Sequence, residues 1–526
     1  MNAPAATDYD RVAYPSMAHP QTFAEALAVK GLLRGLEVAP PDRARVLELG
    51  CGDGFNLAAM AVSRPGASYT GIDYAAEAIG RGRQMVGELG LNQIRLETAD
   101  IRTLDRLEPQ LGEFDYIVAH GVYSWVPADV REALLAAIGR RLAPQGVAFV
   151  SYLALPGAYQ RELVRSMIRF HTRSEKDPHA QARQSKALLR LIAEGTHEPN
   201  HYTRWIAAEL ELIENHSEEA LYHDELSAVS APLLFTEFLA HAARHELQFL
   251  SEGEYLLPVG AALTESARAQ LRPLEANRVL LEQYLDFVDG RRFRQTLLCR
   301  PGLGGELKTG RLDRLWVSFR AAPATNSSSL VEAAPLEFHG IKHAVLRATA
   351  PFEKAVLLEL VARQGAAVPF PHLLAATRDR MLGAGITPES DFEAQLRLYL
   401  CRAGLPGLVE FSWGDQPFRL DVPARPDAHP LARWLMRQNA PSVLSYTGRF
   451  VEVNGALGRH LLTLLDGTRD HAALQKEMRA FLAARRAAAK PEEEPEKLPA
   501  PDDPAIAEQL ERSLAGLAGL GLFRRE

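Results

Sequence analysis

Arg45-Val-Leu-Glu-Leu49 runs directly into Gly50-Cys-Gly52-Asp-Gly54, and this stretch decides the fold. A short run of mainly aliphatic residues is typical of a strand that is buried in a sheet. The three glycines that follow allow a tight turn and a close approach of the backbone to a ligand. The stretch therefore predicts a strand, a glycine turn and the start of a helix, which is a unit of an α/β fold.

Outward from this stretch, short β-rich runs alternate with helical stretches as far as residue 152. This alternation predicts a mostly parallel sheet covered by helices. The clearest helix follows Asp129, because apolar residues recur there every four positions before Pro144-Gln-Gly146 ends it. The other predicted strands are Ser68-Tyr-Thr-Gly-Ile72, Ile94-Arg-Leu-Glu-Thr98, Phe114-Asp-Tyr-Ile-Val-Ala119 and Val147-Ala-Phe-Val-Ser-Tyr152.

The glycine turn has the spacing G-x-G-x-G at Gly50, Gly52 and Gly54, and Glu48 precedes it by two residues. A dinucleotide fingerprint requires glycine at position 55, where this chain has the bulky Phe55. The turn instead resembles the first motif of class I methyltransferases. That resemblance implies S-adenosylmethionine as the cofactor.

Two acids at later strand ends fit the same cofactor. Asp73 follows the second strand, where a carboxylate can accept both ribose hydroxyls. Asp100 follows the third strand and resembles the acid that binds the adenine amino group, with Ile101 beside the ring. Tight packing at the glycines and helix capping by the acids are the alternative interpretations. The remaining candidate cofactor contacts in this region are Asp53, Asn56 and Tyr74.

The segment His120-Gly-Val-Tyr-Ser-Trp-Val-Pro127 follows the fourth strand, at the edge of the sheet where ligands of open α/β folds bind. Tyr123 and Trp125 are predicted to wall a channel and to stabilise a cation with their ring faces. His120 offers hydrogen bonds there, so we predict it as both a catalytic residue and a cofactor contact. An aromatic loop that only packs against the sheet is the alternative.

Composition excludes several classes of protein. At 526 residues the chain is too long for one hydrophobic core, and three or four domains are expected. A net charge of −7 gives no basic field, so nucleic acid is not an expected partner.

The cysteines and the N-terminal residues indicate the cellular compartment and whether a metal site is expected. Cys51, Cys299 and Cys401 lie far apart and show no zinc or disulfide spacing, so no metal is predicted. Residues 1–10 lack the order of a signal peptide, and no apolar run approaches about 18 residues. We expect a cytoplasmic protein without a membrane span.

After the predicted sheet, changes in composition along the chain predict where helical regions, linkers and loops lie. Residues 160–250 show helical periodicity, and Ala321 to Ser329 has the composition of a linker. The acidic, proline-rich segment 490–504 is predicted to be a disordered loop, after which Leu510, Leu514, Leu517 and Leu520 resume a helix.

Strings along most of the chain resemble bacterial methyltransferases with a regulatory domain, a family that includes lysine methyltransferases acting on outer-membrane proteins. The strings that carry the resemblance are Tyr9-Asp-Arg-Val-Ala-Tyr-Pro-Ser16, Phe114 to Pro127, Ser151-Tyr-Leu-Ala-Leu-Pro-Gly157, Leu221-Tyr-His-Asp-Glu-Leu226, Phe293-Arg-Gln-Thr-Leu-Leu298 and Leu464-Leu-Asp-Gly-Thr-Arg469.

The resemblance implies a Rossmann-like methyltransferase domain, a helical regulatory domain and smaller α-rich middle and C-terminal domains. The expected bounds are a lid segment at 1–40, then domains at 41–158, 159–300, 301–425 and 426–526. The lid makes Tyr9 and Tyr14 candidate cofactor contacts. Phe23, Leu153 and Ala158 differ from the residues that the family has at these positions. These differences concern the acceptor pocket and therefore the identity of the methyl acceptor.

The expected reaction is methyl transfer from S-adenosylmethionine to lysine amines of a protein, with a cell-envelope protein as one candidate substrate. A small-molecule acceptor and a catalytically inactive cofactor-binding scaffold are the alternatives. Either His120 or Tyr123 would orient or deprotonate the amine. A homodimer is left open.

Overall fold

The computed structural model describes residues 8–104, 111–256, 263–325, 327–340, 344–404, 408–488, 500 and 502–525. Its centre is a seven-stranded sheet with the strand order β3-β2-β1-β4-β5-β7-β6. The first five strands are parallel. Their bounds are β1 Arg45–Leu49, β2 Ser68–Asp73, β3 Ile94–Thr98, β4 Phe114–Ala119 and β5 Leu142–Leu153.

This sheet confirms the predicted Rossmann-like architecture, and β1, β3 and β4 have the predicted bounds. Strand β5 begins earlier than predicted, directly after the helix that ends at Arg141. The early start follows from pairing with β4. Leu142 pairs with Phe114, the register then shifts, and Val147 pairs with Tyr116. Pro144-Gln-Gly146 therefore lies within an irregular strand.

Two strands of the sheet come from the region predicted to be helical. Strand β6 (Gln248–Glu252) and strand β7 (Phe293–Cys299) are antiparallel to each other, and β7 pairs antiparallel with β5. The region 159–300 is mainly helical, as predicted, and it also supplies these two strands, which were not predicted. Six of the seven residues of β7 are buried, because it lies between two other strands.

Among the described residues, five helices accompany the first five strands, and seven more lie between β5 and residue 289. The first set is α1 Asp8–Arg11, α2 Ala24–Leu33, α3 Phe55–Ser63, α4 Ala76–Leu89 and α5 Ala128–Arg141. The second set is α6 Ala158–His171, α7 Pro178–Glu194, α8 His201–Glu214, α9 Glu218–Glu225, α10 Phe235–Ala243, α11 Glu265–Leu271 and α12 Arg278–Asp289.

The helical region has its own small core, formed by apolar residues of α6 to α9. Side-chain caps start three of its helices, with Asp177, Asn200 and Ser217 each accepting a backbone N–H of the first turn. Such caps satisfy amide groups that the helix itself leaves unpaired.

The middle region combines three helices with short strands within the described residues. It contains β8 Trp316–Phe319, β9 Ala322–Pro323, β10 Leu336–His339, β11 Val345–Ala348, α13 Pro351–Ala362, β12 Val368–Pro369, α14 Phe370–Gly383, α15 Phe392–Ala403 and β13 Val409–Ser412. The predicted linker includes β9, whose residues pair with Phe338 and His339.

The last region has a core of its own built mainly from helices. Its elements are β14 Phe418–Arg419, α16 Pro430–Arg437, β15 Ser442–Leu444, β16 Phe450–Glu452, α17 Ala456–Leu464, α18 His471–Ala488, α19 Ala505–Gly519 and β17 Phe523–Arg524. Helix α19 confirms the predicted return to helix after the acidic segment. Residues 490–499 and 501 of that segment lie outside the described residues.

Within the described ranges, no helix is both long enough and apolar enough to cross a bilayer.

Candidate functional site

The glycine turn curls at the carboxyl end of β1. Gly50, Gly52 and Gly54 have φ values of 76°, 56° and 72°, the left-handed region that favours glycine. A Cβ atom on Gly52 would meet no atom within 4 Å, so the backbone is open to a ligand there. A Cβ on Gly54 would lie 2.7 Å from Leu96, so this glycine serves the turn itself and is buried.

Asp73 closes the turn from the neighbouring strand. Its Oδ2 accepts a hydrogen bond from the amide of Gly52 at 2.8 Å, and its Oδ1 accepts one from Ala75 at 2.8 Å. Burial raises the pKa of Asp73, and these backbone amides oppose the rise. Each carboxylate oxygen keeps a further lone pair, which is what a ribose diol would use.

Glu48 is a buried carboxyl with one unsatisfied oxygen. Its Oε1 accepts from the Asn56 amide at 2.9 Å, whereas its Oε2 has no hydrogen-bond partner in the part of the chain that the structure describes. Burial raises the pKa of Glu48 to about 8. Because a buried acceptor without a partner is costly, Oε2 is a place where a cationic or hydroxyl group of a ligand would fit.

Asp100 has a nearby cation that the sequence did not predict. The Arg102 guanidinium lies 2.7 Å from its Oδ2 and holds the pKa of Asp100 below its usual range. Arg102 also contacts Asp129 at 2.9 Å. The Asp100 carboxylate is therefore already engaged by a charged donor.

A cavity of about 540 Å³ joins these groups. Most predicted cofactor residues line it, and the predicted catalytic residues His120 and Trp125 do so as well. The predicted residues in its wall are Tyr9, Tyr14, Glu48, Gly50, Gly52, Asp53, Asn56, Asp73, Tyr74, Asp100, Ile101, His120 and Trp125. Its size falls in the range of cofactor sites.

His120 lies at the end of β4 among aromatic rings. The centre of its ring lies 4.1 Å from that of His19 and 6.1 Å from that of Phe293, and its Nδ1 has no hydrogen-bond partner among the described residues. Burial, together with His19, lowers the pKa of His120 to about 3. The imidazole is therefore neutral near pH 7 and can accept a hydrogen bond, but it is a weak base.

The two aromatic residues of the loop lie in different surroundings. Trp125 lines the cavity, and the guanidinium groups of Arg161 and Arg165 lie 4.9 and 5.3 Å from its ring centre. The cations on its ring are thus groups of the protein itself.

Tyr123 is not part of the cavity wall, which corrects the expectation that it lines the channel. It is 1% exposed, and its ring packs edge-on against Tyr152 and Phe238. Its hydroxyl lies 2.6 Å from Nδ1 of His241. In a 3-10 turn the side chains of Tyr123 and Trp125 diverge, so one enters the core while the other borders the cavity.

The N-terminal segment lies against helix α9 and contributes to the cavity wall. The ring of Tyr9 stacks on His223 at 4.2 Å, and Nε2 of His223 lies 2.8 Å from the carbonyl oxygen of Val12. Tyr14 donates its hydroxyl to Asp224 at 3.4 Å. The segment that was predicted to be a lid thus borders the same cavity as the glycine turn.

Asp224 is a residue of the wall that sequence reasoning missed. Burial raises the pKa of its carboxyl. Its carbonyl oxygen accepts from Arg161 at 3.0 Å and from Arg165 at 2.6 Å, the same arginines that cover Trp125. The string 221–226 contained it, but nothing local indicated that α9 would reach the cavity.

A second cavity of about 220 Å³ shares Asp224 with the first. Leu153 and Phe293 line this second cavity. Leu153 is one of the three residues that differ from the family pattern, so one of these differences lies at a cavity. The other two are packing residues, since Ala158 is 0% exposed at the start of α6 and Phe23 packs against the main core beside α2.

Three protein-family models match the chain. Residues 47–148 match a methyltransferase domain, and residues 217–300 match a predicted methyltransferase regulatory domain. Residues 424–522 match the C-terminal winged-helix domain of PKMT.

Two relatives from Rickettsia prowazekii (strain Madrid E) extend these matches. Uncharacterized protein RP028 is 32% identical over 46% of this chain and 96% of its own length. Uncharacterized protein RP789 is 30% identical over 66% of this chain, and the match spans 64% of that protein. The chain belongs to the bacterial S-adenosylmethionine-dependent methyltransferases that carry a regulatory domain.

One solved structure has a similar fold over nearly the whole chain. The structure of PKMT2 from Rickettsia typhi in complex with AdoHcy has a TM-score of 0.82 with this methyltransferase and 23% sequence identity, over 97% of this chain and 99% of that chain. The likeness shows that the sheet, the helical region and the winged-helix region form one shared architecture.

Proposed function

We propose that this methyltransferase transfers methyl groups from S-adenosylmethionine to lysine amines of a protein substrate. The observation that carries the proposal is the single cavity that joins the glycine turn, Asp73, Trp125, His120 and Asp224. A glycine turn that shares one cavity with an imidazole and a carboxylate supports an amine acceptor, since such groups can orient an amine and bind its ammonium form. The name of the R. typhi protein in the solved complex, PKMT2, agrees with this acceptor class.

The cofactor contacts follow from the shape of the cradle. Asp73 would accept the ribose hydroxyls, and the open backbone at Gly52 would lie along the methionine part of the ligand. Glu48 would receive the ligand's ammonium group on its unpaired Oε2. Asp100 and Ile101 would border the adenine, with Arg102 holding the Asp100 carboxylate in place. Tyr9 and Tyr14 would close over the ligand from the N-terminal segment.

The acceptor chemistry is a displacement at the methyl carbon. The bound sulfonium supplies an activated methyl group, and the lysine nitrogen forms the new bond with its lone pair while the C–S bond electrons return to sulfur. A lysine amine has a pKa of about 10.4, so it must lose a proton before it reacts near neutral pH.

We assign the two roles around the amine to different residues. His120, with a pKa of about 3, is too weak a base to take the proton, but its neutral ring can orient the amine. Asp224 is a carboxylate in a buried wall with a raised pKa, so it would bind the ammonium and accept its proton. The second cavity, which shares Asp224, would hold the rest of the lysine side chain.

A small-molecule acceptor is the second candidate, since Leu153 at the second cavity departs from the family pattern. Purified protein would be incubated with methyl-labelled cofactor and with either a cell-envelope protein fraction or a small-molecule extract. Label in protein, located on lysine by mass spectrometry and lost in Asp224→Asn, is the expected result. Label only in small molecules would replace the lysine acceptor, and no transfer to either fraction would favour a cofactor-binding scaffold.

Location and partners are part of the same proposal. All three cysteines are free and buried, which agrees with a reducing cytoplasm. A cell-envelope protein as the substrate would then be methylated before export. A homodimer stays a prediction, and light scattering of the purified chain would test it.

A further inference from the structure

Three side chains meet on the far side of the Tyr123 turn from the cavity. Glu132 lies on α5, His241 lies on α10, and His245 lies in the turn after α10. Their ligating atoms all lie within 4.8 Å of one another. Two histidines and one carboxylate are ligands that zinc and similar transition metals accept.

The distances suit ligands around one ion. Nε2 of His241 is 3.0 Å from Oε2 of Glu132, and Nε2 of His245 is 3.0 Å from Oε1 of the same carboxylate. Zinc bonds of about 2.0–2.2 Å at tetrahedral angles separate ligand atoms by roughly 3.3–3.5 Å. The two histidine–carboxylate distances are therefore within a few tenths of an ångström of this spacing, and the three ligating atoms together lie within 4.8 Å.

His245 supplies an independent sign of a missing partner. Its Nε2 is buried and makes no hydrogen bond to any described residue, although Oε1 of Glu132 lies 3.0 Å away. A buried polar atom that makes no hydrogen bond requires a reason, and a bound ion is one of the standard ones.

The site is held rigidly by its surroundings. A Cβ on Gly139 of α5 would lie 2.3 Å from the carbonyl oxygen of His245, so the helix and the turn pack backbone to backbone. Tyr123 places its hydroxyl 2.6 Å from Nδ1 of His241. Such a bond to the second ring nitrogen fixes the ring and the tautomer of a metal-binding histidine.

One cation competes for the carboxylate. The guanidinium of Arg244 lies 3.1 Å from Oε2 of Glu132, and its side chain is 62% exposed. An exposed arginine can turn into solvent at little cost, so it would yield to a divalent ion.

We propose that Glu132, His241 and His245 form a site for a zinc-class divalent metal ion, with water as the fourth ligand. The ion would clamp α5 of the methyltransferase domain to α10 at the start of the regulatory part. Through Tyr123 it would also fix the turn whose other end, Trp125, borders the cavity. The role is structural, since the described ligands lie outside the cavity wall.

The test uses the full chain, stripped with a chelator and titrated with Zn²⁺ alone, followed by Co²⁺ absorption spectroscopy. We expect one ion per chain and a higher melting temperature with metal. His245→Ala and Glu132→Gln should each weaken binding tenfold or more. His179→Ala is the matched control, since His179 lies 3.0 Å from Glu218 without a second histidine, and it should leave binding unchanged.

Two further variants keep the proposal falsifiable if a ligand variant folds poorly. Arg244→Ala should tighten Zn²⁺ binding by removing the competing cation, and Tyr123→Phe should weaken it tenfold or more while preserving the stoichiometry. Absence of saturable binding in the wild type would overturn the proposal. Equal affinity in wild type and His245→Ala would also overturn it.

Discussion

Single carboxyl groups around the glycine turn do two tasks at once. Asp73 shapes the turn through the amide of Gly52 and still presents lone pairs to a ribose. Glu48 supports Asn56, whose own amide and carbonyl reach Thr22 and the backbone of His19. The cofactor cradle and the N-terminal segment are therefore joined by individual hydrogen bonds.

Replacing Asp73 with Ala should weaken S-adenosylmethionine binding by about 2 kcal/mol or more, which is roughly thirtyfold in Kd. The reason is the loss of the charged acceptor and of the bond that holds Gly52. Calorimetric titration would measure it. Asp115→Ala is the matched control, because Asp115 also accepts a backbone amide, from Arg45 at 2.8 Å, but does not line the cavity. An unchanged Kd in a folded Asp73→Ala protein would contradict the assignment.

Glu48 predicts a pH dependence of stability without cofactor. Its pKa is about 8 in the folded protein and near 4.3 in an unfolded chain, so folding favours the protonated form. This contribution is complete below about pH 4 and is lost as the pH rises through 8. Between pH 5 and pH 8, the wild type should lose about 1 kcal/mol or more relative to Glu48→Gln. Denaturant unfolding at both pH values measures this difference, and parallel losses in the two proteins would refute it.

At the scale of elements, the 3-10 turn from Tyr123 to Trp125 separates two environments. One side chain is fixed in the core by His241, and the other lies between the cavity and two arginines of α6. The same arginines hold the backbone of Asp224 in α9. The turn thus links the sheet to the helical region at the cavity.

This division predicts different phenotypes for the two aromatic residues. Trp125→Ala should lower turnover tenfold or more, about 1.4 kcal/mol of barrier, because Arg161 and Arg165 lose the ring that positions them. Tyr123→Phe should keep turnover within a few fold in metal-saturated protein, since its ring still fills the core. Single-turnover kinetics beside thermal melts would decide. The reverse order of effects would show that the hydroxyl of Tyr123, and not the ring of Trp125, serves the reaction.

At the scale of the molecule, the regulatory part completes the central sheet. Strands β6 and β7 extend the sheet beyond β5. Arg294 of β7 is completely buried, with 0% of its surface exposed. Its guanidinium contacts Glu252 at 2.7 Å, Asp286 at 2.8 Å and Glu282 at 3.0 Å. One cation therefore joins both added strands to α12.

Arg294→Met should cost about 3–5 kcal/mol of stability, because it removes the cation that pairs with the buried carboxylates of Glu252 and Glu282. Arg347→Met is the matched control, since the Arg347 side chain is 69% exposed and pairs with Glu337 at 2.7 Å. Its cost should be about 1 kcal/mol or less. The stabilities of the two variants would be compared by the midpoints of denaturant unfolding. Similar midpoints would contradict a central role for Arg294.

The sequence by itself determined the parallel strands β1 to β4, the glycine turn and the acids at the strand ends. Each of these depends on local patterning, and a parallel sheet brings the carboxyl ends of its strands to one edge. Periodicity could not show that Tyr123 turns inward, because neighbouring residues of a loop have no fixed faces.

Only the tertiary structure brought Asp224 to the cavity, Arg294 to its acids and Glu132 to His241, a residue 109 positions away. No spacing rule covers ligands so far apart, which is why the sequence predicted no metal. Strands β6 and β7 were missed for the same reason: their position is decided by pairing with β5, and strand pairing between distant segments leaves little trace in either segment alone.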